Sequence, residues 1–276
     1  MKALLIAGTL KEVFQETLNQ EGPLDKYEML ETRKAPVNRH KHLGIEIEFV
    51  SESDREEILE LLIEQELETC CELGDDGSID PMKRETIYED RYQDSTGTWV
   101  EESYADYDEY GEGYELRVLC TESNLAVVMS RVGAVLSGCK AEVNNSCGLH
   151  VHLDMRHRDV VAATKKLLRK QDQMFKMVPP SRKENTYCQK VYLSSKNVPL
   201  AINKALHIPR HSDINITEAN AYNKTIEVRL HEGTTNTRAI INWCKYLISI
   251  VNKKKQPKGV VEYAKKRIKE YSSRAG

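Results

Sequence analysis

Four short segments, far apart in the chain, place an ionisable residue at every second position with apolar residues between. They hold Glu46 and Glu48, Glu115 and Arg117, His150 and His152, and Glu227 and Arg229. Successive side chains of a strand point to opposite faces, so each segment presents one charged face and one apolar face. That pattern suits an antiparallel sheet with one face on the core. An ordinary solvated sheet face favours Thr, Ser, Lys and Gln; this one carries four Glu, two His and two Arg. If the strands share a sheet, their carboxylates crowd together. Two like charges about 5 Å apart repel by about 3 kcal/mol at an effective dielectric of about 20.

Protonation or divalent cations relieve such crowding. Oxygen-rich ligation with one imidazole suits Mg2+ or Mn2+ better than zinc. Two arginines on the same face call for an anion, and phosphate is the natural one. The residues therefore point to metal-assisted chemistry on a phosphate-bearing substrate. The competing reading is a plain amphipathic sheet with surface ion pairs, which stabilise little.

The chain has 276 residues, enough for one large domain or two small ones. Its net charge of -3 gives no basic surplus of the kind nucleic-acid binders show. Seven cysteines, none in a Cys-x-x-Cys pair, read as buried thiols of a reducing compartment. The apolar start Met1–Gly8 is too short for a secretory signal, and no later run is long enough to span a membrane. The expected location is the cytoplasm.

Residues 1–40 read as a leader segment and 256–276 as a basic tail with a surface helix over Val260–Tyr271. Between them, Leu43–Val50 is the clearest strand; Ser53 and Glu56 form a capping box before a helix. Thr69–Leu73, Tyr114–Leu119, Cys139–Val143, Cys147–Leu153, Ile214–Glu218 and Thr225–Leu230 are the other expected strands, the last two a hairpin. Thr121 or Ser123, Asp159, and Thr235 or Asn236 are the expected caps of three further helices. His157 and His231 are expected at the surface. Hairpins mixed with covering helices argue for an α+β fold on an antiparallel sheet.

Residues 85–113 differ in character: ten acids against one base, with five tyrosines and Trp99 interleaved. They read as a loop or long hairpin inserted between core strands. It is either a solvated insertion or an electronegative lip for a cationic amine or a basic partner.

The ordered motifs Gly44-Ile45-Glu46-Ile47-Glu48-Phe49, Asp76-Gly77-Ser78-Ile79, Gly113-Tyr114-Glu115-Leu116, Cys147-Gly148-Leu149-His150-Val151-His152, Arg182 with Asn185-Thr186-Tyr187, and Glu227-Val228-Arg229 resemble those of the amidoligases. That family belongs to the carboxylate–amine ligase superfamily, with glutamine synthetase and glutamate–cysteine ligase. The resemblance covers about residues 42–250. It implies an amidoligase catalytic domain over 41–255, interrupted by the insertion 85–113, with a curved antiparallel sheet and covering helices like the glutamine synthetase catalytic domain. It implies ATP and Mg2+ or Mn2+ as cofactors, and an amide bond formed through an acyl phosphate.

Carried over by motif, Glu46, Glu48, Glu115, His150 and Glu227 would hold metal. His152 would lie near the nucleotide phosphates, and Arg182 and Arg229 would stabilise the transferring phosphoryl group. The family follows its third-motif glutamate with Ser-Pro. Here Leu116-Arg117 follows Glu115, which makes Arg117 a stand-in for a phosphate or carboxylate contact. The partners implied are a small-molecule or peptide carboxylate and an amine acceptor, a modified base among the open choices. Neither a membrane nor nucleic acid is an expected partner.

Rival readings are a metal-dependent hydrolase or phosphotransferase on the same sheet, or a non-catalytic acidic binding module. A cupin-type site is disfavoured, because Arg156 stands where its glutamate would be.

Overall fold

A computed structural model describes residues 42–156, 158–204, 206–219, 224–252 and 255–273. The expected leader, His157 and the tip of the last hairpin lie outside the described residues. The first half of the chain forms β1 (His42–Ser51), α1 (Arg55–Glu64), β2 (Cys71–Asp75), β3 (Met82–Gln93), β4 (Trp99–Tyr110), β5 (Glu112–Thr121) and α2 (Leu125–Gly138). The second half forms β6 (Gly148–Asp154), α3 (Val160–Phe175), α4 (Pro180–Lys183), α5 (Val198–Ile202), β7 (Ile214–Asn215), β8 (Thr225–Glu232), α6 (Thr237–Asn252) and α7 (Lys258–Ser272).

Six strands make one open antiparallel sheet in the order β2-β5-β1-β6-β8-β7. The fold is α+β. Ile45, Ile47, Leu116, Val118, Leu149, Val151, Ile226 and Val228 are buried and line the apolar face. Helix α2 packs on β5, α6 on β6 and α3 on β8. Helix α6 buries Ile240, Trp243, Cys244, Tyr246, Leu247, Ile248 and Val251, more than one stripe, because other helices surround it as well. All seven cysteines are free and buried. No helix among the described residues is long and apolar enough to cross a membrane.

The insertion is a hairpin of its own: β3 and β4 pair along their whole length as a separate two-stranded sheet. Its base is held by Asn144, whose Nδ2 donates to the Asp80 carbonyl at 2.6 Å, and by Arg84, which pairs with Glu52 at 2.9 Å.

Several local expectations shift. Asp54, not Ser53, caps α1, because its carboxylate accepts from the Glu57 amide at 2.9 Å. Asn124 is the N-cap of α2, and its side chain turns back to accept from the Thr121 amide at 2.7 Å. Strand β2 begins at Cys71, since the amides of Cys70 and Cys71 both donate to the Leu67 carbonyl in a turn. Cys139–Val143 does not form a strand; only Glu142 bridges to Val50. The Asp159 cap and the Asn236 cap are as expected. The basic tail contains α7, which docks on α6 rather than standing alone.

The register between β6 and β8 slips by one residue. Val151 faces Val228, but Leu149 faces His231, so β8 holds an extra residue between them. Such a bulge reverses which face later side chains take. Alternation from Glu227 and Arg229 would put His231 on the charged face. The bulge instead sends it under the sheet, 1% exposed, 5.1 Å from the Trp243 ring. The expectation of a surface His231 is corrected on this ground. Its Nε2 lies 2.8 Å from the Tyr263 hydroxyl of α7, and burial lowers its pKa.

Candidate functional site

Strand pairing brings the scattered polar residues together. Glu48 faces Glu115 across β1–β5, and Glu46 lies between Arg117 on β5 and His150 on β6. His152 faces Glu227 across β6–β8. These residues and Arg229 occupy the face opposite the helical layer, and Arg182 enters from α4.

His150 is the hub. Its Nδ1 lies 3.0 Å from Glu46 Oε2 and 3.7 Å from Glu227 Oε1, and its Nε2 lies 3.3 Å from Glu48 Oε1. A neutral imidazole donates from one nitrogen only. Carboxylates thus flank both ring nitrogens, and His150 stands between the two groups of acids. His152 Nε2 lies 3.0 Å from Glu46 Oε1. Arg229 pairs with Glu227 and donates from Nε to the Tyr187 carbonyl at 3.2 Å. Arg117 Nε lies 2.5 Å from Glu115 Oε1, and its Nη1 reaches Glu72 at 3.8 Å.

The crowding has electrostatic consequences. Burial, and then the Glu46 charge, push Glu115 up to about 7, although Arg117 opposes them. Burial would lower His152, but Glu46 and Glu227 outweigh it and raise it to about 9. Burial would raise Glu46, yet His152 and His150 hold its carboxyl well below the usual range. Glu227 is lowered too: His152, His150 and Arg229 outweigh its burial.

Two groups of side chains could hold a cation. Glu46, His150 and Glu227 offer ligand atoms within 4.8 Å of one another, and so do Glu48, Glu115 and His150. The shared imidazole has one lone pair when neutral, so it ligates in one group at a time. The donors are mostly carboxylate oxygens, as Mg2+ and Mn2+ prefer. Gly148 leaves the space: a Cβ there would lie 2.9 Å from His150 Nε2, 3.0 Å from Arg182 Nη2 and 3.3 Å from Glu48 Oε2. The residues present fit the ion.

Arg182 is 2% exposed. Its Nη2 donates to the Arg229 carbonyl at 2.7 Å and its Nε to the Leu230 carbonyl at 3.5 Å. Those are the carbonyls of the β8 bulge. The arginine therefore satisfies backbone groups that the ladder leaves unpaired, besides standing at the Glu48 end of the site.

Residues 119–251 match the model of a family described as "Putative amidoligase enzyme". That match supports a ligase. It includes His150, His152, Arg182, Glu227 and Arg229; Glu46, Glu48, Glu115 and Arg117 precede the matched segment and join it through β1 and β5. A comparison with curated proteins found no match.

Three partners were not singled out in the sequence. Asn215 Nδ2 donates to Glu227 Oε2 at 2.7 Å, the Gly148 amide to Glu48 Oε2 at 2.5 Å, and Glu72 accompanies Arg117. Asn215 and Glu227 lie opposite each other across β7 and β8, both inside segments the sequence marks as strands. Gly148 precedes His150 by two residues, and so shares its face.

Proposed function

We propose that this protein is an ATP-dependent carboxylate–amine ligase. The observation that carries the reading is the meeting of Glu46, Glu48, Glu115, His150 and Glu227 on one sheet face, in two groups that could hold cations. The amidoligase match supports it.

In this reading those five residues hold Mg2+ or Mn2+, which when bound neutralises charge on phosphate oxygens. A substrate carboxylate oxygen attacks the γ-phosphorus of ATP, the bond to the β-phosphate oxygen breaks, and ADP leaves. The amine then attacks the acyl carbon, phosphate departs with the acyl oxygen, and the amine loses a proton. The protein's task is positioning and charge. Arg229, held by Glu227 and the Tyr187 carbonyl, would stabilise the transferring phosphoryl group. His152, beside Glu46 and across from Glu227, would hydrogen-bond the nucleotide phosphates. Arg117 is half-exposed at the Glu115 end and suits a carboxylate or phosphate contact.

The test is ADP release over pools of acids and amines with Mg2+, with products identified by mass. A ligase releases ADP only when acid and amine are both present. Release that ignores the amine would instead mark a phosphotransferase or hydrolase. Glu48→Gln and Glu227→Gln are each expected to lower turnover about 100-fold or more, with circular dichroism unchanged. Near-normal turnover in both would refute the metal assignment.

A further inference from the structure

Each strand of the β3–β4 hairpin has twelve residues, so the arm is about 40 Å long. Its residues 82–110 carry nine acids and three bases. Beyond its base, the arm's large side chains are exposed.

One chemical arrangement occurs along it. Near the base, the Arg84 guanidinium lies 4.5 Å from the Tyr110 ring centre and pairs with Glu52. Near the tip, the Arg91 guanidinium lies 5.0 Å from the Trp99 ring centre and 3.5 Å from Glu101. Both are an aromatic ring with a carboxylate, filled by the chain's own arginine. At mid-arm, Tyr88 and Tyr104 face each other and stack at 5.4 Å, 44% and 57% exposed. Asp106 lies to one side on the same face, and the pair Asp90 and Glu102 lies to the other. Among the described residues, no Lys or Arg covers these rings or pairs with these acids. Asp90 directly opposite Glu102 is a like-charge pair, which weakens a hairpin unless a cation intervenes.

We infer that the hairpin is a docking arm for a basic polypeptide, with an arginine or lysine side chain seated on the Tyr88–Tyr104 stack between Asp106 and the Asp90–Glu102 pair. Cation–π attraction and carboxylate pairing act together there. The arm's length and the spread of its acids along both strands fit an extended chain with several cations better than one small amine. Its charge opposes nucleic acid. The inference stands apart from the ligase reading, because binding is measured without ATP, acid or amine substrates.

The experiment is fluorescence anisotropy of the full chain with a labelled twelve-residue peptide alternating arginine and serine, and a citrulline version as the neutral control. Wild-type protein is expected to bind the arginine peptide and not the citrulline one. D90N/E102Q/D106N and Y88A/Y104A should each weaken binding tenfold or more. Y88F/Y104F, which keeps the rings, should bind as wild type and guards against loss of the hairpin itself. E56Q/E60Q/E64Q removes three exposed acids of α1 and should bind within twofold of wild type. An equal loss in that variant would reduce the effect to net charge and overturn the proposal. No binding by wild type, no loss in D90N/E102Q/D106N, or binding of spermine but not of the peptide would overturn it too.

Discussion

Arg182 carries its charge where water is excluded, and its partners are backbone carbonyls rather than carboxylates. Without it, the Arg229 and Leu230 carbonyls lose their donors, and an unpaired buried acceptor costs about 1–3 kcal/mol. Arg182→Ala is therefore expected to lower unfolding free energy by about that much, and Arg182→Lys nearly as much, because one ammonium lacks the guanidinium's fork. Urea denaturation measures both; wild-type stability in the alanine variant would refute the carbonyl-capping role. The example also marks what a sequence exposes. Glu46, Glu48, Glu115, His150 and Glu227 were legible because a period of two is a local rule that regular pairing preserves. His231 was misplaced because one extra residue in β8 breaks that rule. The Arg182 contacts were hidden because they depend on where a bulge leaves carbonyls bare, which no spacing encodes.

Elements were legible where apolar periodicity ran long, as in β1, α3 and α6. They were not where a turn competed for the same residues, as at Cys70 and Cys139–Val143. A buried acid supplies a test of how the elements are joined. The Asp213 carboxylate, just before β7, accepts from Gln171 of α3 at 2.9 Å and from the Val191 amide at 2.8 Å. Burial still raises it to about 6 against those hydrogen bonds. A carboxyl whose folded pKa lies above its unfolded value of about 3.9 takes up a proton on folding between the two. Its contribution to stability is thus largest below about pH 4 and declines as pH rises through about 6, by up to about 3 kcal/mol. Asp213→Asn has no such group. Its stability relative to wild type should improve between pH 4 and pH 7, as read by urea midpoints at both. A constant difference would show that Asp213 does not titrate in that window.

At the scale of the molecule, helices cover the apolar face of the sheet, and the charged face carries both candidate cation groups. Ions that bind the folded chain and not the unfolded one stabilise it by mass action, by about 2.7 kcal/mol at a hundred times Kd. Mn2+ is therefore expected to raise Tm in wild type, and to leave Tm unmoved in Glu46→Gln and Glu227→Gln. Calorimetry with and without EDTA decides this independently of turnover, and an equal rise in the variants would place the ion elsewhere. The position of β1 between β5 and β6 has one more consequence. The stretch 119–251 holds one imidazole and one carboxylate of the five proposed ligands, while Glu46, Glu48 and Glu115 come from the part before it. Excised by itself, that stretch would have an open ladder where its central strand belongs. A fragment that starts after β1 is therefore expected to expose both flanking strands, β5 and β6, to unwanted pairing.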